Sequence, residues 1–436
     1  MAATNTTPVL QQETTTKPVV AKRALVPKLR FKEFDGEWAR KDFGSIAERA
    51  KAKHDPKKST EEYPCIEMES IEKESSILLD IFNSNDQLSI KNKFKKGEIL
   101  FGKLRPNLKK HIIAPFDGVC SSEIWVLKGK KLSNDFLFRL VQTNKFYAST
   151  LVTSGSKMPR ADWDYISSTI FPFPSLPEQQ KIASFLTAVD EKIQQLTKKK
   201  ELLAQYKKGV MQQLFSGKLR FKPTPPLRAK HSVAKQTVEI NYPDWEEKLL
   251  GKLIEICSSK RVLQKDWKEE GVPFLRTREI INLSNNVGFR TPIFITDELF
   301  EELKLKYGVP KSGDILATGV GTIGQLYIVN QADKFYFKDG NVIWFKMNDS
   351  LDSNYLNQIF KTRFIRKQLN DNASITTVAT FTIDGARKTK IIYPCIDEQQ
   401  KIANYLSAID DKIETVNQQI SKTQTFKKGL LQQLFV

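Results

Sequence analysis

Two stretches of this sequence place reactive residue types at suggestive spacings. Gly319-Val320-Gly321-Thr322-Ile323-Gly324 fits G-x-G-x-x-G. A dinucleotide site needs that turn to open a helix, so that the helix N-terminus faces the pyrophosphate. Here the strand-like Leu326-Tyr327-Ile328-Val329 follows, which predicts a glycine-rich loop between strands. Such a loop exposes backbone N–H groups that can approach phosphates. Pro243-Asp244-Trp245-Glu246-Glu247-Lys248 contains an Asp followed by Glu-x-Lys, as in metal nucleases. Its acids are too close in sequence to come from two adjacent strands, so it reads as the segment leading into a domain at Trp245. His54, His111 and His231 are dispersed, none beside another metal-ligand type. Cys65, Cys120, Cys257 and Cys395 form no C-x-x-C pair, which signals neither a zinc site nor a disulfide framework. Scattered cysteines fit a reducing cytosol, so the expected location is cytoplasmic. There is no Walker loop and no Asn-Pro-Pro-Tyr/Phe motif of an amino-methyltransferase. The sequence carries no catalytic constellation and no metal site.

Charge points elsewhere. The 436 residues carry a formal +19, a balance that suits nucleic acid or another polyanion. On composition alone, a merely soluble basic protein is the bland alternative. Basic residues punctuate the loops: Lys103, Arg105, Lys109, Lys110, Lys157 and Arg160 early, then Arg276, Arg278, Arg387, Lys388 and Lys390. Arg and Lys hold phosphates, and Arg reads guanine in the major groove. Any one of them is equally well a solvated surface charge.

The chain is longer than one compact domain, and its 40% hydrophobic content suffices for real cores. No apolar run reaches membrane-spanning length. Residues 1–26 lack the apolar core of a signal peptide and read as a disordered tail. Residues 27–175 form a first domain opening on Phe31, Phe34 and Trp38. Strands are expected at Tyr63–Ile66, at Ile99–Gly102 after a turn, and from Val119 to Leu127; helical periodicity runs from Asn134 to Thr153. Short strands with one or two helices give an α+β class. Residues 216–240, with Pro223, Pro225 and Pro226, are a linker. Residues 241–395 repeat the plan: Trp245 and Gly251 match Trp38 and Gly44, Gly313-Asp314-Ile315-Leu316 matches Gly97-Glu98-Ile99-Leu100, and Trp344 matches Trp125. Between these anchors the two domains diverge.

Each domain is followed by a copy of one helix, in residues 176–215 and 396–436. Of the 38 positions from Glu178 to Phe215, 18 are identical in Glu398 to Phe435, which marks an internal duplication. Both copies start Glu-Gln-Gln-Lys-Ile-Ala and end Gln-Gln-Leu-Phe. Pro177 suits a first turn, and Asp397 in its place supplies an N-terminal acid. A 4-3 apolar repeat runs through Ile182, Leu186, Val189, Ile193 and Leu196, and through Ile402, Leu406, Ile409, Ile413 and Val416. That spacing is a coiled-coil seam, with each helix on the order of 57 Å long. The expected pairing sets the first run of one copy against that of the other. The seam weakens at Lys200, Lys207, Thr423 and Lys427, where Leu202, Tyr206 and Phe426 are expected to take over.

The doubled Leu-Pro/Asp-Glu-Gln-Gln-Lys-Ile-Ala helix, its Lys-Lys-Gly…Gln-Gln-Leu-Phe ending and the two divergent domains resemble the specificity subunit of type I restriction-modification enzymes, from about Pro27 to Val436. The resemblance implies two target recognition domains, each reading half of a split DNA sequence. It implies an antiparallel helix pair that sets the gap between half-sites, giving a pseudo-twofold chain. Two modification subunits would bring S-adenosylmethionine and adenine methylation. Motor-nuclease subunits would use ATP and magnesium to cut double-stranded DNA. This chain would bind no cofactor and have no catalytic residue. The Thr318-to-Gly324 loop looks like a recurrent family segment, which adds Thr318 and Thr322 to the DNA-binding candidates; the first domain departs there with Gly102-Lys103-Leu104-Arg105-Pro106-Asn107. The alternatives are the specificity chain of a related type IIB-like bipartite system with fused methylase and nuclease, a DNA-binding scaffold, and a free-standing enzyme.

Overall fold

The computed structural model describes residues 25–152, 158–223, 241–285, 287–289, 291–371 and 380–436; residues 1–24 of the proposed tail and much of the proposed linker lie outside them, while Leu25, expected in the tail, packs on the first core and accepts Trp38 N–H. The chain folds as two compact units, residues 1–195 with 420–436, and residues 196–419. Each long helix, Leu176–Phe215 and Ile396–Gln433, therefore contributes one half to each unit. The class is α+β, with a long helix after each domain.

Both units are built on the same antiparallel sheet. In the first its order is Ala47–Arg49, Ile124–Gly129, Ile99–Gly102, His111–Ile113; in the second it is Glu255–Cys257, Val342–Lys346, Ile315–Thr318, Leu326–Ile328. The central strands read as unbroken apolar runs because both faces are covered. Ile99, Phe101 and Leu127 face the helices, while Leu100, Ile124 and Val126 face a smaller core. Ile315, Ala317 and Phe345 divide from Leu316, Val342 and Trp344 in the same way. Side chains alternate across a strand, so one run supplies both cores.

Three expectations change here. Trp344 pairs with Leu316, whereas Trp125 pairs with Phe101, the residue after the equivalent Leu100. Trp344 thus stands where Val126 stands in the first unit, and the two tryptophans enter opposite cores, because a one-residue offset in a strand reverses the face. The run from Val119 to Leu127 is two strands in different sheets, Gly118–Cys120 and Ile124–Gly129. The helical stretch after Asn134 breaks into Asn134–Leu140 and Asn144–Thr150, because Thr143 leaves the helix to cap Phe146 N–H; Thr153 lies outside the described residues.

The junction between domain and long helix explains the repeated Glu-Gln. In the first unit Glu178, 2% exposed, accepts from Arg30 Nε and Nη2, both at 2.8 Å, and from Trp38 Nε1 at 3.2 Å. In the second, fully buried Glu398 accepts from Arg220 at 3.0 and 2.8 Å and from Trp245 at 2.7 Å. The next residue clasps the domain. Gln179 accepts Ser133 N–H and donates to the Lys131 and Pro174 carbonyls. Gln399 does the same with Asp352, Ser350 and Pro394. The two arginines expose a second repeat, Lys28-Leu29-Arg30-Phe31-Lys32 and Lys218-Leu219-Arg220-Phe221-Lys222, at a different offset from the helices. Leu219 N–H donates to Gln213 at the end of the first long helix, and Leu29 N–H donates to Gln433 at the end of the second. Phe31 meets Phe185 edge-on at 5.7 Å, and Phe221 meets Tyr405 at 5.8 Å. The segment that leads into the first domain therefore caps the second long helix as the segment after the first long helix caps that helix.

Within each unit the paired helices run antiparallel. Ile182, Leu186 and Val189 share a core with Leu430 and Leu434, and Val210 and Leu214 share one with Ile402, Leu406 and Ile409. The start of each helix meets the end of the other, which corrects the expected pairing of the two starting runs. Leu196 and Val416 are also buried, while Ile193 and Ile413 pack partly buried on these cores. Nor do Leu202, Tyr206 and Phe426 take over the weak seam, since each is more than half exposed. Polar side chains fill it instead. Lys207 bonds both oxygens of Asp410 at 2.7 Å and Gln358 at 2.9 Å. Lys427 meets Asp190 at 2.7 Å, beside Arg139. Lys200 donates to Asn417 at 2.7 Å. Lys207 and Lys427 close ion pairs because each lies opposite an aspartate on the other helix.

Two outcomes follow from these contacts. Glu398→Gln removes the charge that Arg220 and Trp245 enclose. Breaking a buried pair costs about 3 kcal/mol, which lowers the melting midpoint of a unit this size by roughly 6–12 °C; the exposed Lys198→Ala leaves it unchanged by calorimetry. Asp410 is the second case. Burial pushes its carboxyl up, but hydrogen bonds from Lys207 and Gln358 outweigh this and hold it below its ordinary 3.8. A depressed folded-state value contributes stability above pH 3.8 that is lost as the pH falls through the folded value. Asp410→Asn therefore flattens the acid limb of stability below that pH, read by circular dichroism across a pH series.

Candidate nucleic-acid interface

The basic candidates sort by what holds them. In the first unit Glu123 ties two together: Arg160 reaches it through Nε at 3.0 Å and Nη2 at 3.2 Å, and Lys103 lies 4.0 Å away. The backbone fixes the same three places. Lys103 N–H donates to Glu123, Ala161 N–H donates to Lys103, and Leu104 bridges Arg160. Arg105 and Lys109 flank the short turn Pro106–Leu108 in left-handed conformations, at φ +50° and +51°. Both are exposed; Lys109 lies over the Tyr147 ring at 5.2 Å, and Lys110 is spent on the Met68 carbonyl. Lys157 lies outside the described residues.

In the second unit the equivalent loop is the glycine run, and it does connect two strands, Ile315–Thr318 and Leu326–Ile328. Gly319 N–H donates to Asn341 and Phe381 N–H to Gly319, so Gly319 takes the place of Lys103. Gly321 and Gly324 have φ of +72° and +66°, which glycine adopts freely. Thr318 is fully buried; its hydroxyl donates to the Thr322 carbonyl and accepts Gln325 N–H at 3.0 Å. It staples the loop, and its hydroxyl is engaged internally. Thr322 is exposed at the tip.

Beside this loop a second carboxylate organises two arginines. Arg276 and Arg278 both reach Glu279, at 2.8 and 3.0 Å, and Arg278 also donates to Thr291 Oγ1 at 2.6 Å. Burial raises the Glu279 carboxyl, but the bonds from Arg276 and Arg278 bring it below its usual range. Thr277 and Gln325 join this helix, Thr277–Ser284, to Asn341 and the loop. One carboxylate against two guanidiniums leaves a net positive, oriented pair, with Arg278 half exposed. Such a pair suits phosphate or guanine edges. Glu123 lies 37 residues from Arg160, a separation with no fixed spacing to read, whereas Glu279 follows Arg276 by three positions and Arg278 by one, a local spacing that marks it on the sequence itself. Arg387 is half exposed; it donates to the Ile256 carbonyl at 2.9 Å, meets Asp384 at 3.3 Å and packs over Gly251. Lys388 and Lys390 are exposed.

The histidines take structural places. His54 lies edge-on to Tyr63, and His111 meets the Tyr147 hydroxyl at 2.7 Å. Burial, then the nearby Lys427 charge, push His111 down to about 3. His231 lies outside the described residues. Among the described residues no group of three His, Cys, Asp or Glu could hold a metal, and no helix is long and apolar enough to cross a membrane.

Known proteins agree with this architecture. The type I restriction modification DNA specificity domain matches residues 37–205 and 242–424. The chain is 27% identical over 363 residues to the type I restriction enzyme MjaVIII specificity subunit of Methanocaldococcus jannaschii, covering 80% of this chain and 78% of that protein. It is 32% identical over 175 residues to a putative type I specificity subunit of Haemophilus influenzae, covering 40% and 41%. Its fold is similar to that of the type I restriction-modification S subunit from M. genitalium, with a TM-score of 0.54 at 17% identity over 94% and 99% of the two chains. The matched segments take in both domains and much of both long helices, and the chain belongs to the type I restriction-modification DNA specificity family.

Proposed function

We propose that this chain reads a bipartite target in double-stranded DNA, one domain per half-site, and directs adenine methylation and restriction by partner subunits. One observation carries the reading: two unlike domain bodies are mounted on the same Glu-Gln clasp and the same helix pairing. A repeated mount with divergent loops is what interchangeable readers of different sequences require. The carboxylate-held bases differ between the units, Arg160 and Lys103 in one and Arg276 and Arg278 in the other. Two similar mounts also offer two docking sites to a pair of modification subunits. In this reading S-adenosylmethionine, ATP and magnesium belong to the partners, and the chain alone neither methylates nor cuts.

The direct test replaces residues 27–173 with another recognition domain and maps methylated adenines in DNA treated with the partner subunits. One half of the methylated motif changes and the other stays. A change in both halves would defeat the modular reading.

The helices act here as a spacer. About four residues added to both helices near Lys199 and Gln419, where the two units divide, lengthen them by roughly 6 Å. At about 3.4 Å per base pair the preferred gap grows by one or two base pairs with the half-sites unchanged. Methylation at the original spacing alone would show that the helices do not set it.

A further inference from the structure

One face of the first unit has the opposite character to the rest of the chain. Residues 59–90 hold eight acids against the single Lys73, within a chain of net charge +19; Glu67 is buried against Lys91, and the other seven, Glu61, Glu62, Glu69, Glu72, Glu74, Asp80 and Asp86, reach the surface. Large aliphatic side chains stand out of the same stretch: Ile77 is 50% exposed, Leu79 61% and Ile81 47%. They alternate with Leu78, which packs on the core below, and they lead into Phe82–Asn83, the last strand of a five-stranded sheet. Alternation places all three on one side of an extended run.

DNA does not fit this face, since phosphates would meet Glu69, Glu74, Asp80 and Asp86, all exposed. An added strand does not fit it either. Asp80 caps Ile81 N–H at 2.8 Å and Asp86 caps Asn83 N–H at 2.7 Å, so these amides along the run are already taken. What remains is an apolar row about 13 Å long, rimmed by carboxylates. A helix presenting apolar residues over two to three turns has a matching row of about 11–16 Å.

We propose that the Ile77–Leu79–Ile81 row docks a basic amphipathic helix of a partner protein, its apolar stripe on the three aliphatics and its Lys or Arg side chains against Glu74, Asp80 and neighbouring acids. Charge complementarity selects this occupant. A chain of net +19 repels a cationic helix over most of its surface, so binding concentrates at the acidic face.

The test uses the full chain and a synthetic peptide of about 18 residues in which Leu and Lys alternate at helical spacing, with a Leu/Glu peptide as its mirror in charge. The Leu/Lys peptide binds, gains helicity by circular dichroism, and protects the backbone amides of residues 77–83 from hydrogen exchange. Ile77→Ser/Leu79→Ser/Ile81→Ser lowers its affinity at least tenfold while melting temperature and DNA affinity stay those of the parent. Glu74→Gln/Asp80→Asn weakens binding at low salt and leaves it nearly unchanged at high salt. Equal binding of the Leu/Glu peptide, or full binding to the triple variant, overturns the proposal. So does a dimer of the parent chain, seen by sedimentation, that the triple variant dissolves, because a second copy would then be the occupant. Loss of DNA recognition in the parent would instead strike the proposed function and leave this face untouched.

Discussion

The carboxylate at the start of each long helix is the contact on which both units depend. Glu178 and Glu398 sit where the helix dipole favours a negative charge, and each is closed in by an arginine and an indole N–H. Each gathers the first turn of one helix, the tryptophan that opens a domain, and an arginine from the segment that caps the end of the other helix. A buried ion without these donors would cost several kcal/mol. The three segments are therefore bound to one arrangement, and Gln179 or Gln399 fixes the domain body to it one residue later.

Alignment of the helix pair has its own device. A seam of Ile, Leu and Val at regular spacing tolerates sliding by whole heptads, and polar residues in a seam discriminate among such alignments. Lys207 with Asp410, and Lys427 with Asp190, do this twice, once in each unit. They enlist the domains as well, through Gln358 in one unit and Arg139 in the other. Sliding the helices would break both pairs and strip two domain contacts. The two pairs together leave the helices one alignment within each unit.

On this repeated frame the divergent parts hold different charged groups. The same loop position holds Lys103 beside Glu123 and Arg160 in one unit, and bare Gly319 beside Asn341 in the other. Backbone bonds keep both loops in place whatever side chains they bear. A glycine loop lets another backbone approach closely, whereas the charged loop presents a preset cation. The frame therefore does not depend on which side chains the loops carry.

The sequence by itself determined the duplication, the two long helices, their apolar seam and the α+β class, because these rest on local periodicity and on repetition along the chain. It also determined that the glycine run joins strands, since strand-like residues follow it. Only the tertiary structure decided what depends on separation in sequence: that the start of one helix meets the end of the other, that Lys207 and Lys427 close ion pairs, and that Arg30 belongs to Glu178 across 148 positions. It gave the Thr318 hydroxyl and the Arg387 guanidinium backbone partners at Thr322 and Ile256, and it placed Glu123 behind Arg160. The physical reason is the same in each case. Periodicity reports which side of an element is buried, but a polar side chain's role is set by the group opposite it, and only folding supplies that group.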